Sequence, residues 1–479
     1  MLASFSELSV PRRGAARLAA WTLVSAMAVT SVLAGAGRAA AEGTAQGRSG
    51  ATATMGGLET YGTAVIHGDT GTGDTGDPGT GDTEVSAGLF EMSVEGGGTL
   101  QTYCVDILTP AQDGAKYQET PWSGTSLGAN KDAGRVRWIL RNSYPQVNDL
   151  AALAKKAGVR GGLTEQDAAA GTQVAIWRYS DQADVEAVEP EAERLADYLE
   201  KNARDLPEPA ASLTLDPPAV SGRPGERLGP VTVRTGTGGA TVTPPADAAT
   251  SGVRIVDRDG EPVTDVRDGG KVWFDVPEEA ADGTAELTAQ ASTTVPVGRA
   301  FVSESRSQTQ ILAGSSESTV SATASATWAE EGAIPALSQA RNCAEGSLDI
   351  TVANQGDVVF TFDLLDSEYT IAPSETRTVS APLQEDQAYD FTVRGPGAEE
   401  HRFTGVFDCR TQADAAGDAT RTLSEPSPAT MGAAATETDL ADTGSSDTTP
   451  LIGGTALALV TIGGATLLLV RRRGTTPRG

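Results

Sequence analysis

Three cysteines and one oddly placed glutamine hold most of the chemistry this chain can do. Gln173 stands in AAAGTQVAIWRYSD, residues 168–181, with Ala168, Ala169, Ala170 and Gly171 before it and Val174, Ala175, Ile176 and Trp177 after it. A primary amide among such neighbours is expected to be partly buried and to need hydrogen-bond partners. Cys343 and Cys409 bracket a run of short strands. In an exported chain they should pair, closing a loop of about 66 residues and stabilising it by roughly 4 kcal/mol on the chain-entropy model. Cys104, in TYCVDILTP, is then the odd one out. Three readings compete: an inert buried thiol, a nucleophile with His67 as base, or a sulfur bonded to another group. Oxidation outside the cell counts against the first. Against the second, His67 and His401 are the only histidines, and no Asn or Asp is clearly placed to orient either.

Export is read from the ends. Arg12, Arg13 and Arg17 precede the apolar run LAAWTLVSAMAVTSVLAGA, and Ala39, Ala40 and Ala41 follow it, so residues 1–41 are expected to be a signal peptide. At the other end, the uncharged 451–470 is long enough to cross a bilayer, and Arg471, Arg472 and Arg473 begin a basic tail, 471–479, that should stay inside. Just before the span stand Leu440, Ala441, Asp442, Thr443 and Gly444. Pentapeptide, span and tail in that order resemble a sortase sorting signal, in the LAxTG form typical of actinobacteria. The resemblance implies a cut between Thr443 and Gly444 and attachment to peptidoglycan. A plain single-pass anchor is the alternative.

The full chain carries 36 basic and 64 acidic residues, −28 net. The signal removes four arginines and Glu7, and the tail four arginines and Asp447. The mature form therefore has 28 basic and 62 acidic residues, −34 net. Such a surface is soluble and repels nucleic acid.

The elements that must position Cys104 and Gln173 lie in 56–205, a mixed α+β segment. TYGTAVIH, TEVSAGLFEMSV and TLQTYCVDI alternate as strands. Between the first two runs the Gly/Asp/Thr repeat 68–83, whose Asp69, Asp74, Asp77 and Asp82 fit no known calcium spacing; it is read as a solvated loop, and neither a metal nor a cofactor is expected. Helices follow: AGRVRWILRNSYP, stopping at Pro145; NDLAALAKKAG, stopping at Gly158; LTEQDAAAGTQVAIWRYS, opened by Thr164 and Asp167 as a capping box; and PEAERLADYLEKNA, with Leu195, Tyr198 and Leu199 on one face. Residues 210–328 carry short alternating strands, QTQILA among them, and 335–410 repeat the theme. Both are expected to be all-β immunoglobulin-like sandwiches, the second holding the disulfide. Residues 411–439 are rich in Ala, Thr, Ser and Asp and read as a disordered wall-spanning spacer.

Tyr103-Cys104-Val105 on a strand, and Thr172-Gln173-Val174-Ala175-Ile176-Trp177 on a helix about 70 residues later, resemble the thioester domains of Gram-positive surface adhesins. RWILRNSYP, 137–145, is similar to a stretch of that family too. The resemblance covers roughly 60–205. It implies that the Cys104 sulfur attacks the Gln173 side-chain carbonyl, that ammonia leaves, and that the resulting thioester captures an amine. A thioester is a better electrophile than an amide, and proximity and desolvation of the pair are expected to help it form. Trp177, Tyr103 and Trp138 are candidates for an apolar wall against water, with ordinary core as the other reading. Asp106, Asp181 and Tyr179 are candidates to assist the amine.

The expectation is a cell-wall-anchored, adhesin-like surface protein that takes a Lys-bearing surface or matrix protein as covalent target. It acts once and is not an enzyme in the usual sense. A structural spacer or coat protein with an unused or absent thioester is the alternative. Isopeptide cross-links are not expected: Lys271 is the only lysine after residue 201, and 210–328 has no Asn.

Overall fold

The computed structural model describes residues 49–68, 81–303, 305, 307–365, 367–395 and 400–409. The signal peptide, most of the Gly/Asp loop, the spacer, the sorting pentapeptide, the apolar span and the basic tail lie outside the described residues. Among those residues no helix is long and apolar enough to cross a membrane.

Strand β1 (Thr52–Ile66) pairs antiparallel with β2 (Thr83–Val94), and β2 with β3 (Thr99–Cys104). The next partner of β3 comes from far along the chain: strand Gln310–Ser315, which pairs with Ala300–Ser303, which pairs in turn with β4 (Lys116–Thr120). Since β4 also pairs with the start of β1, six strands close into a ring. A short β5 (Val185–Ala187) hangs on the far end of β1. QTQILA is thus a strand, but of the first module. Alternation of residue type tells which face a strand buries and not which strand it joins. The first module is also wider than 56–205: it begins before Thr52, with Ala51 and Ala53 fully buried, and is completed by 300–315.

Four helices cover one side of the ring: α1 (Ala133–Asn142), α2 (Leu150–Ala157), α3 (Glu165–Ser180) and α4 (Pro190–Asn202). Their ends follow the sequence signals. The Thr164 hydroxyl accepts from Asp167 N while the Asp167 carboxylate accepts from Thr164 N, and Gly158 ends α2 in the left-handed region at φ +72. Helix α3 runs through the middle of the layer, and every residue from Ala168 to Trp177 is buried. Small side chains permit this. A Cβ added to Gly171 would stand 2.4 Å from the Ala192 carbonyl of α4, so only glycine lets the two helices approach so closely.

Most of 210–328 forms a sandwich. One sheet contains Leu213–Asp216, Arg227–Thr235, Arg254–Val256 and Lys271–Asp275; the facing sheet has the long hairpin Gly283–Thr294 and Glu317–Trp328 at its centre. Its core is continuous with the ring's. Met55, Met92, Leu100, Phe301 and Leu312 share one apolar cluster with Val231, Phe274, Leu287 and Val320. A buried ionic knot reinforces the join. Arg299 donates to Glu119 at 2.8 Å and to Glu208 at 2.7 Å, and Glu119 also accepts from Ala51 N and Ser212 N. The stretch near 205–210, between the first and second modules, is therefore fixed. Residues 335–409 form a third, small module: one three-stranded sheet and two hairpins around a separate core, closed by the disulfide Cys343–Cys409.

Candidate functional site

Cys104 is the last residue of β3, and Gln173 lies two turns into α3. Both are buried, at 2% and 0% exposure. The Gln173 amide clasps the cysteine's own backbone: Oε1 accepts from Cys104 N at 2.9 Å, and Nε2 donates to Cys104 O at 2.9 Å. The polar group in the apolar helix has its partners, and they belong to the one unpaired cysteine of the described residues.

The clasp has chemical consequences. The Gln173 side-chain carbonyl is polarised by a backbone N–H, which would stabilise an oxyanion forming there. The Gln173 nitrogen is held over Cys104 O by the second bond of the clasp.

Gln310 completes the site, and sequence reasoning missed it. It lies directly across the ladder from Cys104. Its Nε2 donates to the Cys104 sulfur at 3.5 Å, and its Oε1 accepts from Thr102 Oγ1 at 2.8 Å. The signal available was a second Gln in a strand-like TQILA, where an amide facing a core is as conspicuous as Gln173 in its helix.

Desolvation acts against the expectation placed on it. Burial pushes the Cys104 thiol well up, and the nearby Asp106 and Asp181 push it further, with only the Gln310 hydrogen bond opposing. Thiolate is scarce in the resting site. Proximity has to supply the rate, and the sulfur's proton must leave during attack.

Two of the three candidate helpers are beside the site. Asp106 follows β3 and accepts from Ser126 Oγ at 3.2 Å and Thr309 N at 3.1 Å; burial raises its pKa to about 6. Asp181 caps the end of α3 and accepts from Ile107 N at 3.2 Å and Ser180 Oγ at 2.7 Å; burial, then the Asp106 charge, raise it well above the usual range. Tyr179 turns away: its hydroxyl donates to Glu200 O on α4 and Arg135 lies over its ring. His67 is also elsewhere, half-buried just past the end of β1, with Nδ1 on Asp82 at 3.1 Å and Nε2 on Glu186 at 3.2 Å, so it is no base for Cys104. Tyr103, Trp177 and the half-buried Trp138 all join the apolar cluster that includes Cys104. Tyr103 donates to Tyr144 O, fixing β3 to the end of RWILRNSYP.

Residues 101–205 match the model of the thioester domain family. Solved structures similar to the chain include the Bacillus anthracis TIE protein (14% identity over 75% of this chain and 81% of that one, TM-score 0.27). They also include the thioester domains of the Enterococcus faecium TIE86 protein (20% identity, 58% and 99%, TM-score 0.23) and the Staphylococcus aureus TIE protein (14% identity, 58% and 100%, TM-score 0.21). No curated protein matches the chain.

Proposed function

We propose that Cys104 and Gln173 close an internal thioester and that the chain uses it to capture an amine-bearing surface or matrix protein. The Cys104 S–H adds to the Gln173 side-chain carbon; the C–N bond breaks and the nitrogen leaves with the sulfhydryl proton as ammonia. A Lys amine then attacks the same carbon, the C–S bond breaks, and the thiol regains a proton. The result is an amide at Gln173. This is a single turnover, so the protein is not an enzyme. Only the unprotonated amine attacks and a Lys titrates near about 10.4, so the rate rises with pH. The sorting signal, cut after Thr443 by sortase, would join the chain to peptidoglycan, with the second and third modules holding the reactive module off the wall.

The observation that carries this reading is the paired hydrogen bond between the Gln173 amide and the Cys104 backbone. The test is intact mass of the full chain. A 56–205 fragment lacks two strands of the ring and Gln310. The mass should fall short of the sequence by one ammonia, and Cys104→Ala or Gln173→Ala should each remove the deficit. Methylamine should add to Gln173 and free Cys104 for alkylation. A full sequence mass with a titratable Cys104 thiol in fresh protein defeats the proposal. A persistent deficit with no uptake favours a structural staple in a spacer protein instead.

A further inference from the structure

We propose that the free edge of β2 is the docking strip for the covalent target, which adds to it as an extended, Lys-bearing segment in line with β3. That the segment delivers a lysine to Gln173 rests on the proposed thioester; the docking of a strand does not.

Strands β2 and β3 separate before β2 ends. Strand β2 runs from Thr83 to Val94, yet β3 pairs with it only from Phe90↔Thr102 to Ser93↔Thr99. The backbone groups of successive strand residues point to opposite edges, and two bonds fix the phase here. Val94 N donates to Gly98 O on the β3 side, and Glu95 N donates to Thr52 O on the β1 side. Even-numbered residues of β2 therefore face β3 and odd-numbered ones face β1. Pairing with β1 runs on to Thr83, and both register shifts fall on β1, at Gly56 and Glu59, so the phase holds along β2. Ser86 and Glu84 thus turn their N–H and C=O towards the side that β3 has left. No strand among the described residues pairs with them there, and both are exposed. The far edge of β1 differs, since β5 covers it at Ala64–Ile66.

The vacated line begins at the reactive pair. In the β2–β3 register, the bonded place after Phe90↔Thr102 would set Gly88 opposite Cys104. Cys104 does point its N–H and C=O to this side, because its neighbour Val105 donates to Thr309 O on the other. The Gln173 amide takes both groups instead. A helix side chain thus stands where a strand residue would, and the line of β3 runs on past it along Ser86 and Glu84. The place opposite Ser86 is two residues further, about 7 Å, which is the reach of a lysine side chain. Cys104 and Gln173 are themselves buried, so an amine delivered along this line meets them end-on.

Charge selects the occupant. Residues 49–94 contain no Lys or Arg, while Glu59, Glu84 and Glu91 stand exposed on the β1–β2 pair. An open strand edge offers main-chain bonds to any extended segment. Flanking carboxylates favour a cationic one and repel an acidic one.

The test uses the full chain and a capped six-residue peptide, Lys followed by alternating Thr and Val, with capped lysine alone as the control. Uptake at Gln173 is followed by intact mass. The peptide should couple about tenfold faster than capped lysine at equal concentration, the worth of two or three strand hydrogen bonds. Methylating every second peptide nitrogen of the probe gives two forms. One should fall to the rate of capped lysine and the other should keep its advantage, because only alternate N–H groups face β2. Equal rates for peptide and capped lysine overturn the docking, and so does equal loss, or no loss, in both methylated forms. Ser86→Pro removes an N–H on the vacant side and spares the ladder to β1. It should bring the peptide down to the rate of capped lysine while the ammonia deficit and methylamine uptake stay unchanged. An undiminished peptide rate in that variant also overturns the docking. If proline costs the fold, the deficit is lost, and the methylated peptides on the wild type decide. A full sequence mass before any amine is added means that the thioester reading has failed. Docking is then read alone, by fluorescence anisotropy of the labelled peptides on the Cys104→Ala chain, where the same difference between the two methylated forms should hold.

Discussion

The first and third modules put sulfur to opposite uses. In the third, Cys343 and Cys409 close the ends of a small apolar core, and the buried Asn354 serves its own backbone: Oδ1 accepts from Ile334 N and Gly356 N, and Nδ2 donates to Val358 O and Ile371 O. In the first, Cys104 is kept from any partner cysteine, and buried polar side chains converge on it from a helix and from the neighbouring strand. A buried amide that ties a loop is scaffold. Two amides aimed at one thiol's residue are what the proposed thioester chemistry calls for; stability alone would be served by apolar groups there.

If that contrast holds, removing the disulfide should hurt one module and spare the other. Cys343→Ser with Cys409→Ser gives up the constraint on a 66-residue separation. The loss should be about 4 kcal/mol on the chain-entropy model. The third module should melt in an earlier, separate calorimetric transition while the ammonia deficit at Gln173 stays intact. Loss of the deficit in this variant would merge the two roles.

Next in size is a pH effect centred on Asp106 of the first module. Asp106 titrates at about 6, above its ordinary 3.8, because it is buried. A carboxyl raised by folding stabilises the fold fully below the ordinary value, and that stability is lost as the pH rises through about 6. The difference is about 2 kcal/mol between pH 4 and pH 7. Asp106→Asn keeps the shape and removes the titration. Urea unfolding at the two pH values should show the wild type losing about that much more than the variant; parallel losses would show that Asp106 is solvated.

The same contrast explains what could be read without coordinates. Cys104 and Gln173 are legible because each breaks a local pattern: a thiol left over when the other two cysteines pair, and an amide in an apolar helix. The capping box at Thr164 and the stop at Gly158 are local signals too, and they fell where expected. The disulfide followed from its bracketing of the last strands. What stayed hidden is long-range. The ladder pairs Cys104 with Gln310 across the whole sandwich, and nothing local in 300–315 names β3 and β4 as partners. The Pro and acidic residues of 205–210 carry no periodicity, so nothing local shows that Glu208 is bound by Arg299 from the same distant hairpin.

The smallest expected effect tests the contrast most closely. Thr102 is fully buried on β3, and its hydroxyl donates to Gln310 Oε1 at 2.8 Å, leaving Gln310 Nε2 turned towards the Cys104 sulfur. Thr102→Val keeps the volume and β-branching but strips the donor. One buried oxygen loses its partner, at a cost of about 1 to 2 kcal/mol. A scaffold role predicts that cost and nothing else. If the Thr102–Gln310 bond instead orients an amide donor for the sulfur, the variant should also close its thioester more slowly. Shortly after refolding, a larger share of the variant should carry the full sequence mass than of the wild type, even under conditions where both are fully folded. Gln310→Glu separates the parts further: the shape and the bond from Thr102 survive, while the donor to sulfur is exchanged for an acceptor. That variant should close more slowly than Thr102→Val. Equal closure rates in all three proteins would leave Gln310 as packing and reduce the site to Cys104 and Gln173 alone.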